Sequence, residues 1–262
     1  MALNNPSSTG SQNVVVTANS TINNVTAGTW LVWIKPSAFN ASVRRIVVKN
    51  LNGGGKILAI HDASGAVRGF LNRATTSTDY RTNTNAATTG AWNCIAMTWD
   101  QAAGAGEIIN LYRGTLTAAL SEGTYGTQTD GSGAFVDDTA SNLFIGADGT
   151  NVGLAGDYGI FAMFDVKLTL AQCIDWQWHP RKMASCVVFQ HFGYSGTTTQ
   201  VDWSGLGNSG AISNLTVAAH VPLGPALGLD EHLHRFVAAG ATFNAAWNAS
   251  ANTVYQPGAM AA

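Results

Sequence analysis

The chain has 262 residues, of which only 11% are charged, against roughly 25% in an ordinary soluble domain. With 13 Lys and Arg against 15 Asp and Glu, no basic stripe is present to displace counterions from a nucleic acid. The 46% apolar content excludes a disordered chain, and the scarcity of Glu, Lys and Arg excludes a helical bundle.

The elements follow in chain order as strands, read from alternation and β-branched content. Val14 to Thr17 is a short β-branched run. Trp30 to Lys35 places Trp30, Val32 and Ile34 on one face and Leu31 and Trp33 on the other, and Pro36 ends it. Apolar residues on both faces predict a strand buried between layers. Arg44 to Lys49 and Lys56 to His61 flank a triple-Gly turn at residues 53–55. Val67 to Asn72, Trp92 to Trp99, Glu107 to Arg113, Leu143 to Ile145 and Tyr158 to Val166 complete the clearest set. Thr169-Leu170-Ala171-Gln172 is a capping box, which predicts one helical turn limited by Pro180. Cys186 to Phe192 and Ile212 to Val217 read as further strands. Many short strands with Gly turns predict an all-β sandwich or jelly roll of two antiparallel sheets. From residue 229 to 262 the chain is Ala- and Asn-rich with scattered aromatics. That stretch is expected to be an arm, packing Phe236, Phe243, Trp247 and Tyr255 on neighbouring subunits.

No apolar run reaches the ~18 residues of a membrane helix, so no membrane partner is expected. The first residues carry neither a basic patch nor an apolar stretch, so no secretory signal is expected. Cys94, Cys173 and Cys186 have no C-x-x-C spacing and read as buried thiols. The Asn-x-Ser/Thr triplets at Asn19, Asn24, Asn40, Asn214 and Asn248 read as products of composition.

Several segments resemble the laminin-G-like, concanavalin-A-like jelly-roll family. Gly28-Thr-Trp-Leu-Val-Trp33-Ile-Lys-Pro36 is similar to its early strand. Gly90-Ala-Trp92 through Asp100 is similar to its central strand, and Ile109 through Gly114 to the next. Asn142-Leu-Phe-Ile-Gly146 and Leu154-Ala-Gly156 through Thr169 follow in the right order, covering about residues 14–180. Two departures stand out. Gly159 and Ile160 occupy positions where the family usually has acidic residues. The strand and Asp-x-Ser-Gly-x-Gly-Asn loop that often open the family's fold occur late here, as Val187 to Phe192 and Asp202 to Asn208. The expectation is one domain over residues 1–228, with residues 186–217 folding back into the same sandwich as if the chain were permuted. The style of Asp202 to Ile212 and of Val217 to Pro222 also resembles structural proteins of tailed bacteriophages.

Hydrolases of this fold carry paired carboxylates on one strand face, as Glu-x-Asp-x-x-Glu or a close variant. The three Glu, at 107, 122 and 231, build no such run, so no catalytic residue and no enzyme is expected. Relatives often hold a calcium ion at the sandwich rim, and this hard ion takes about six to eight oxygens. The resemblance makes Asp130, Asp137, Asp138, Asp148 and Asp157 candidates; turn and solvated-loop roles are the alternative, and no other cofactor is expected. His232 and His234, alternating beside Glu231, read as surface or interface rather than metal. Trp30, Trp33, Trp92 and Trp99 read as core. Trp176, Trp178, Trp203 and Trp247 are candidates for stacking on sugars or burial in an interface. The leading expectation is a non-enzymatic virion protein, most plausibly a phage capsid decoration or accessory protein made in the host cytoplasm. Its partners would be copies of itself, such as a trimer, and a major capsid or other virion protein. The alternative is a carbohydrate-binding lectin-like module or adhesin.

Overall fold

A computed structural model describes residues 2–6, 12–39, 42–49, 55–60, 63–74, 78–148, 152–192 and 198–222. The arm expected over 229–262, with Phe236, Phe243, Trp247 and Tyr255, lies outside the described residues, as do His232 and His234.

Two antiparallel sheets face each other. Sheet A runs β10 (Ser121–Glu122), β9 (Ile109–Thr115), β8 (Asn93–Asp100), β3 (Ala27–Pro36), β13 (Gly156–Phe164), β1 (Ala2–Asn5) and β17 (Thr216–Ala218). Its eighth strand, β14 (Cys186–His191), also pairs with β13. Sheet B has nine strands: β11 (Tyr125–Thr129), β7 (Thr78–Asn83), β6 (Val67–Asn72), β5 (Lys56–Ile60), β4 (Arg44–Lys49), β12 (Leu143–Gly146), β2 (Asn13–Val16), β16 (Gly210–Ser213) and β15 (Thr199–Gln200). The one helix among the described residues, α1 (Leu170–Trp178), starts at the expected capping box. The Thr169 hydroxyl accepts the Gln172 amide, and Gln172 reaches back to the Thr169 amide.

The alternation of β3 decides the layering. Trp30, Val32 and Ile34 enter the core between the sheets, where Trp30 meets Trp99 edge-on with ring centroids 5.3 Å apart. Leu31 and Trp33 enter a second cluster on the outer side of sheet A, together with Trp176 and Cys173 of α1. Each such buried aliphatic side chain contributes roughly 1.5–3 kcal/mol. Cys94, Cys173 and Cys186 are free and buried. Burial pushes the Cys173 and Cys186 thiols up to about 12. Ile160 is fully buried in the second cluster, so the position where the family usually has an acid serves packing here.

The late segment is woven into both sheets. Strand β13 keeps β3 along one edge. It divides the other edge between β1, opposite residues 156–158, and β14, opposite residues 160–164. The run Ile212 to Val217, expected as one strand, is two. Asn214 adopts φ 53°, a left-handed conformation that Asn tolerates. The chain bends there, so that β16 joins β2 in sheet B and β17 joins β1 in sheet A.

The Asp202-Trp-Ser-Gly-Leu-Gly-Asn208 loop clasps β14. Asp202 Oδ1 accepts the amides of Phe189 at 2.9 Å and Ser204 at 3.0 Å. Its Oδ2 accepts the Ser204 hydroxyl at 2.6 Å and the Asn208 amide at 2.8 Å. Gly205 and Gly207 take φ of 87° and 77°, which lets the loop curl around the carboxylate. Asn208 then donates to the Val187 carbonyl at 2.6 Å and to the Thr21 hydroxyl at 2.8 Å. Replacing Asp202 by Ala strands several buried donors, each costing about 1–3 kcal/mol. The variant is expected to lose about 3 kcal/mol or more in urea unfolding; a loss below about 1 kcal/mol contradicts the clasp.

Candidate functional site

The two outer faces of the sandwich differ. That of sheet A is covered by α1 and the Trp203 loop. That of sheet B carries a cross-strand apolar row, buried at Val48, Ile57 and Phe144 and half-buried at Val15 and Phe70. Ala211, Val15, Phe144, Val48, Ile57 and Phe70 stand directly opposite one another through six successive strands. Val48, Ile57, Ala59 and Phe144 form its buried floor, against which Val15, Val43 and Phe70 pack half-buried. Two places along the strands, the next row brings Arg45, Ala59 and Arg68 into line. Both guanidiniums lean over the Phe70 ring, Arg68 at 4.8 Å and Arg45 at 6.0 Å from its centroid. Burial lowers the Arg45 pKa, and Asp148 opposes that effect. A pair of cations over an aromatic can pack against the face of a ring and donate hydrogen bonds from their N–H groups to the oxygens of its substituents. At the neighbouring rim, Arg73 lies 3.7 Å from the Phe135 centroid and donates to the Gly133 carbonyl at 2.8 Å.

The aspartates expected at a metal are not brought together. Asp130 pairs with Arg81 at 2.5 Å. Asp138 is buried between Lys49 and Lys56. Asp137 accepts from Thr139 and from Asn24, and these bonds hold its carboxyl down at about 2. Asp148 faces Arg45. Asp157 accepts from Asn4 at 2.6 Å and lies 3.9 Å from Lys35. Among the described residues, no three His, Cys, Asp or Glu gather where a metal ion could sit.

The candidate aromatics also separate. Trp176 is 0% exposed beneath α1, so its ring cannot stack on a sugar. Its burial follows from the helix: it lies three positions after Cys173, on the face that meets sheet A. Trp178 and Trp203 are half-buried on the same side of the molecule, away from the sheet B face, and Trp203 packs on the second cluster. Trp247 lies outside the described residues. Arg45, Arg68 and Phe70 had not been singled out from the sequence. The alternation of Val67 to Asn72 places Arg68 and Phe70 on one face, but the pairing of β6 with β5 and β4 was needed to add Arg45.

The profile of the concanavalin A-like lectin/glucanases superfamily matches residues 8–173. The chain belongs to that superfamily. Its lectin-like sandwich is similar to a candidate carbohydrate-binding protein from Bacteroides ovatus ATCC 8483, with a TM-score of 0.58 and 16% identity, over 84% of this chain and 59% of that one. The lectin-like chain thus spans about 59% of that protein's length. A heptameric SAP-like pentraxin from Limulus polyphemus aligns with a TM-score of 0.46 and 14% identity, over 84% of this chain and 98% of that one. The CBM40 of the Ruminococcus gnavus IT-sialidase aligns at 0.43 and 14%, over 64% of this chain and 98% of that one. No curated protein matches the chain.

The Asp130–Arg81 pair sets a pH dependence in this lectin-like domain. The Arg81 hydrogen bond holds the Asp130 carboxyl below its ordinary 3.8. Its folded pKa is below its unfolded one, so its contribution is present above about pH 4 and is lost as pH falls through the depressed value. Asp130→Asn is expected to lower Tm at neutral pH and to flatten its decline between about pH 5 and 2. Thermal melts across that range check it; an acid limb as steep as the wild type's contradicts it.

Proposed function

We propose that this domain is a non-catalytic carbohydrate-binding module whose ligand face is the outer surface of sheet B. The observation that carries the reading is the Arg45–Phe70–Arg68 group, a half-buried ring beneath two guanidiniums, on the face opposite the one α1 covers. Sugar recognition needs a flat apolar surface for the C–H face of a ring and fixed polar groups for its hydroxyls. The name of the Bacteroides ovatus relative and the superfamily's description as lectins and glucanases support a glycan ligand. A non-catalytic role is supported by the commitments of the described carboxylates. Asp130, Asp138 and Asp175 are tied to cations, and Asp202 and Glu122 to hydrogen-bond donors.

A glycan array followed by calorimetry tests the proposal. Phe70→Ala and Arg68→Ala are each expected to weaken binding about tenfold or more. Melting temperature monitors the fold, and a chelator leaves affinity unchanged. Folded variants that bind like the wild type remove the site.

A second reading, a structural virion protein stabilising a capsid through contacts with copies or a shell protein, is favoured by one feature. The apolar row from Val15 to Phe70 crosses five strands, about 19 Å at the spacing of paired strands, which exceeds a single sugar ring. Native mass measurement separates the readings. A stable homo-oligomer whose assembly Phe144→Asp disrupts, with no glycan bound, supports the second.

A further inference from the structure

Away from the sheet B face, the rim of the core holds two amines, one carboxylate and one carboxamide. Lys49 and Lys56 stand opposite each other on β4 and β5. The side chains of Lys49 and Asp138 are 0% exposed, and that of Lys56 is 4% exposed. Lys56 Nζ lies 2.5 Å from Asp138 Oδ2, and Lys49 Nζ lies 3.6 Å from Oδ1. One carboxylate balances one ammonium. The two amines share that one carboxylate, and burial disfavours the second positive charge. Lys56 makes the shorter contact with the carboxylate. The Lys49 pKa is lowered, first by burial, with Asp138 opposing the effect and Lys56 adding to it.

A neutral amine has two N–H donors and one lone pair. Lys49 Nζ donates to the backbone oxygens of Asp138, at 3.0 Å, and Ser141. Its third neighbour is Asn23 Oδ1, at 2.9 Å. Nζ thus donates to three oxygens, and the bond to Oδ1 holds it beside the Asn23 carboxamide, where loss of one proton would free a lone pair next to Cγ. That carboxamide is fixed, because its Nδ2 donates to the Thr139 carbonyl at 2.9 Å. The next residue locks the segment to the carboxylate. The Asn24 amide donates to Asp138 Oδ1 at 2.6 Å, and the Asp138 amide donates to Asn24 Oδ1 at 2.9 Å. Nucleophile, electrophile and acid–base group therefore sit on three segments held against one another.

We propose that Lys49 and Asn23 join in an intramolecular isopeptide bond, with Asp138 relaying the proton. Nζ attacks Cγ of Asn23, and the electron pair shifts onto Oδ1. The proton released by Nζ passes through the Asp138 carboxylate to Nδ2. The Cγ–Nδ2 bond breaks and ammonia leaves, with a Cγ–Nζ amide in its place. Amine and carboxamide go in, and amide and ammonia come out, with no oxidant, metal or nucleotide. Fixed geometry supplies the proximity, and burial favours the free amine. The bond would tie the segment that crosses from β2 to β3 to the end of β4, closing a loop between positions 26 apart and restricting the unfolded chain as a disulfide does.

The full-length purified protein gives the test. Its intact mass is expected to be one ammonia below that of the sequence. Trypsin applied after denaturation is expected to leave the bond after Lys49 uncut, and to release a branched peptide carrying Asn23 and Lys49. Asn23→Ala and Lys49→Arg should each show their full sequence mass, and folded Asp138→Asn should form the link more slowly or not at all. Folded wild-type protein that keeps its full sequence mass after several days, and is cut after Lys49, overturns the proposal. So does an ammonia loss located on an unbranched peptide, which marks a succinimide instead.

Discussion

Strand β3 is apolar on both faces, and a strand of that kind cannot lie at a surface. One face demands a second sheet and the other demands a covering layer. Sheet B meets the first demand through Ile46, Leu58 and Ile145. Helix α1 and the Trp203 loop meet the second. This makes the molecule asymmetric across its layers: the side on which the helix lies is committed to packing, whereas among the described residues no helix covers the far face of sheet B.

Polar groups inside the sandwich obey a related constraint. A low charge content leaves few ions to place, and those that are buried are paired or bonded. Asp202 spends both oxygens holding a loop. Asn208 and Gln190 serve the same corner, the latter donating to the Asn208 carbonyl at 3.1 Å. Buried Arg81 is matched by Asp130. The Lys49–Lys56–Asp138 group is the exception, because its charges do not balance. An unbalanced buried charge is a place where chemistry, rather than a salt bridge, can relieve the cost.

Much of the architecture was legible in the sequence because it rests on local signals. The alternation of Trp30 to Lys35, the capping box at Thr169 and the β-branched run at Val14 each state their own environment. What escaped notice depended on distant partners. Ala2–Asn5 is short and polar, and becomes a strand through β13 and β17. Thr78–Asn83 and Tyr125–Thr129 carry mostly polar residues and pair at the edge of sheet B. The break at Asn214 is a single residue's conformation inside a run that alternates well. The site was less legible still. The resemblance made five aspartates candidates for one metal, but Asp130 and Asp138 are paired with cations and Asp137 accepts from Thr139 and Asn24. Arg45 and Phe70 are separated by twenty-five positions, and only the register of β4, β5 and β6 brings them to one ring.

The pairing of β1 with β17 has a consequence for how the molecule is made. Ala2 stands opposite Ala218, so sheet A cannot close until nearly the whole described chain has been synthesised. Contacts of such long sequence separation slow folding, and a nascent chain leaves the ribosome at about 5–20 residues per second. During that time the β17-facing edge of β1 stays unpaired, and the helix-side faces of Leu31 and Trp33 stay uncovered until α1 has been made. The dependence on a chaperone during that interval would be set by the order of the strands, even though the finished fold needs none.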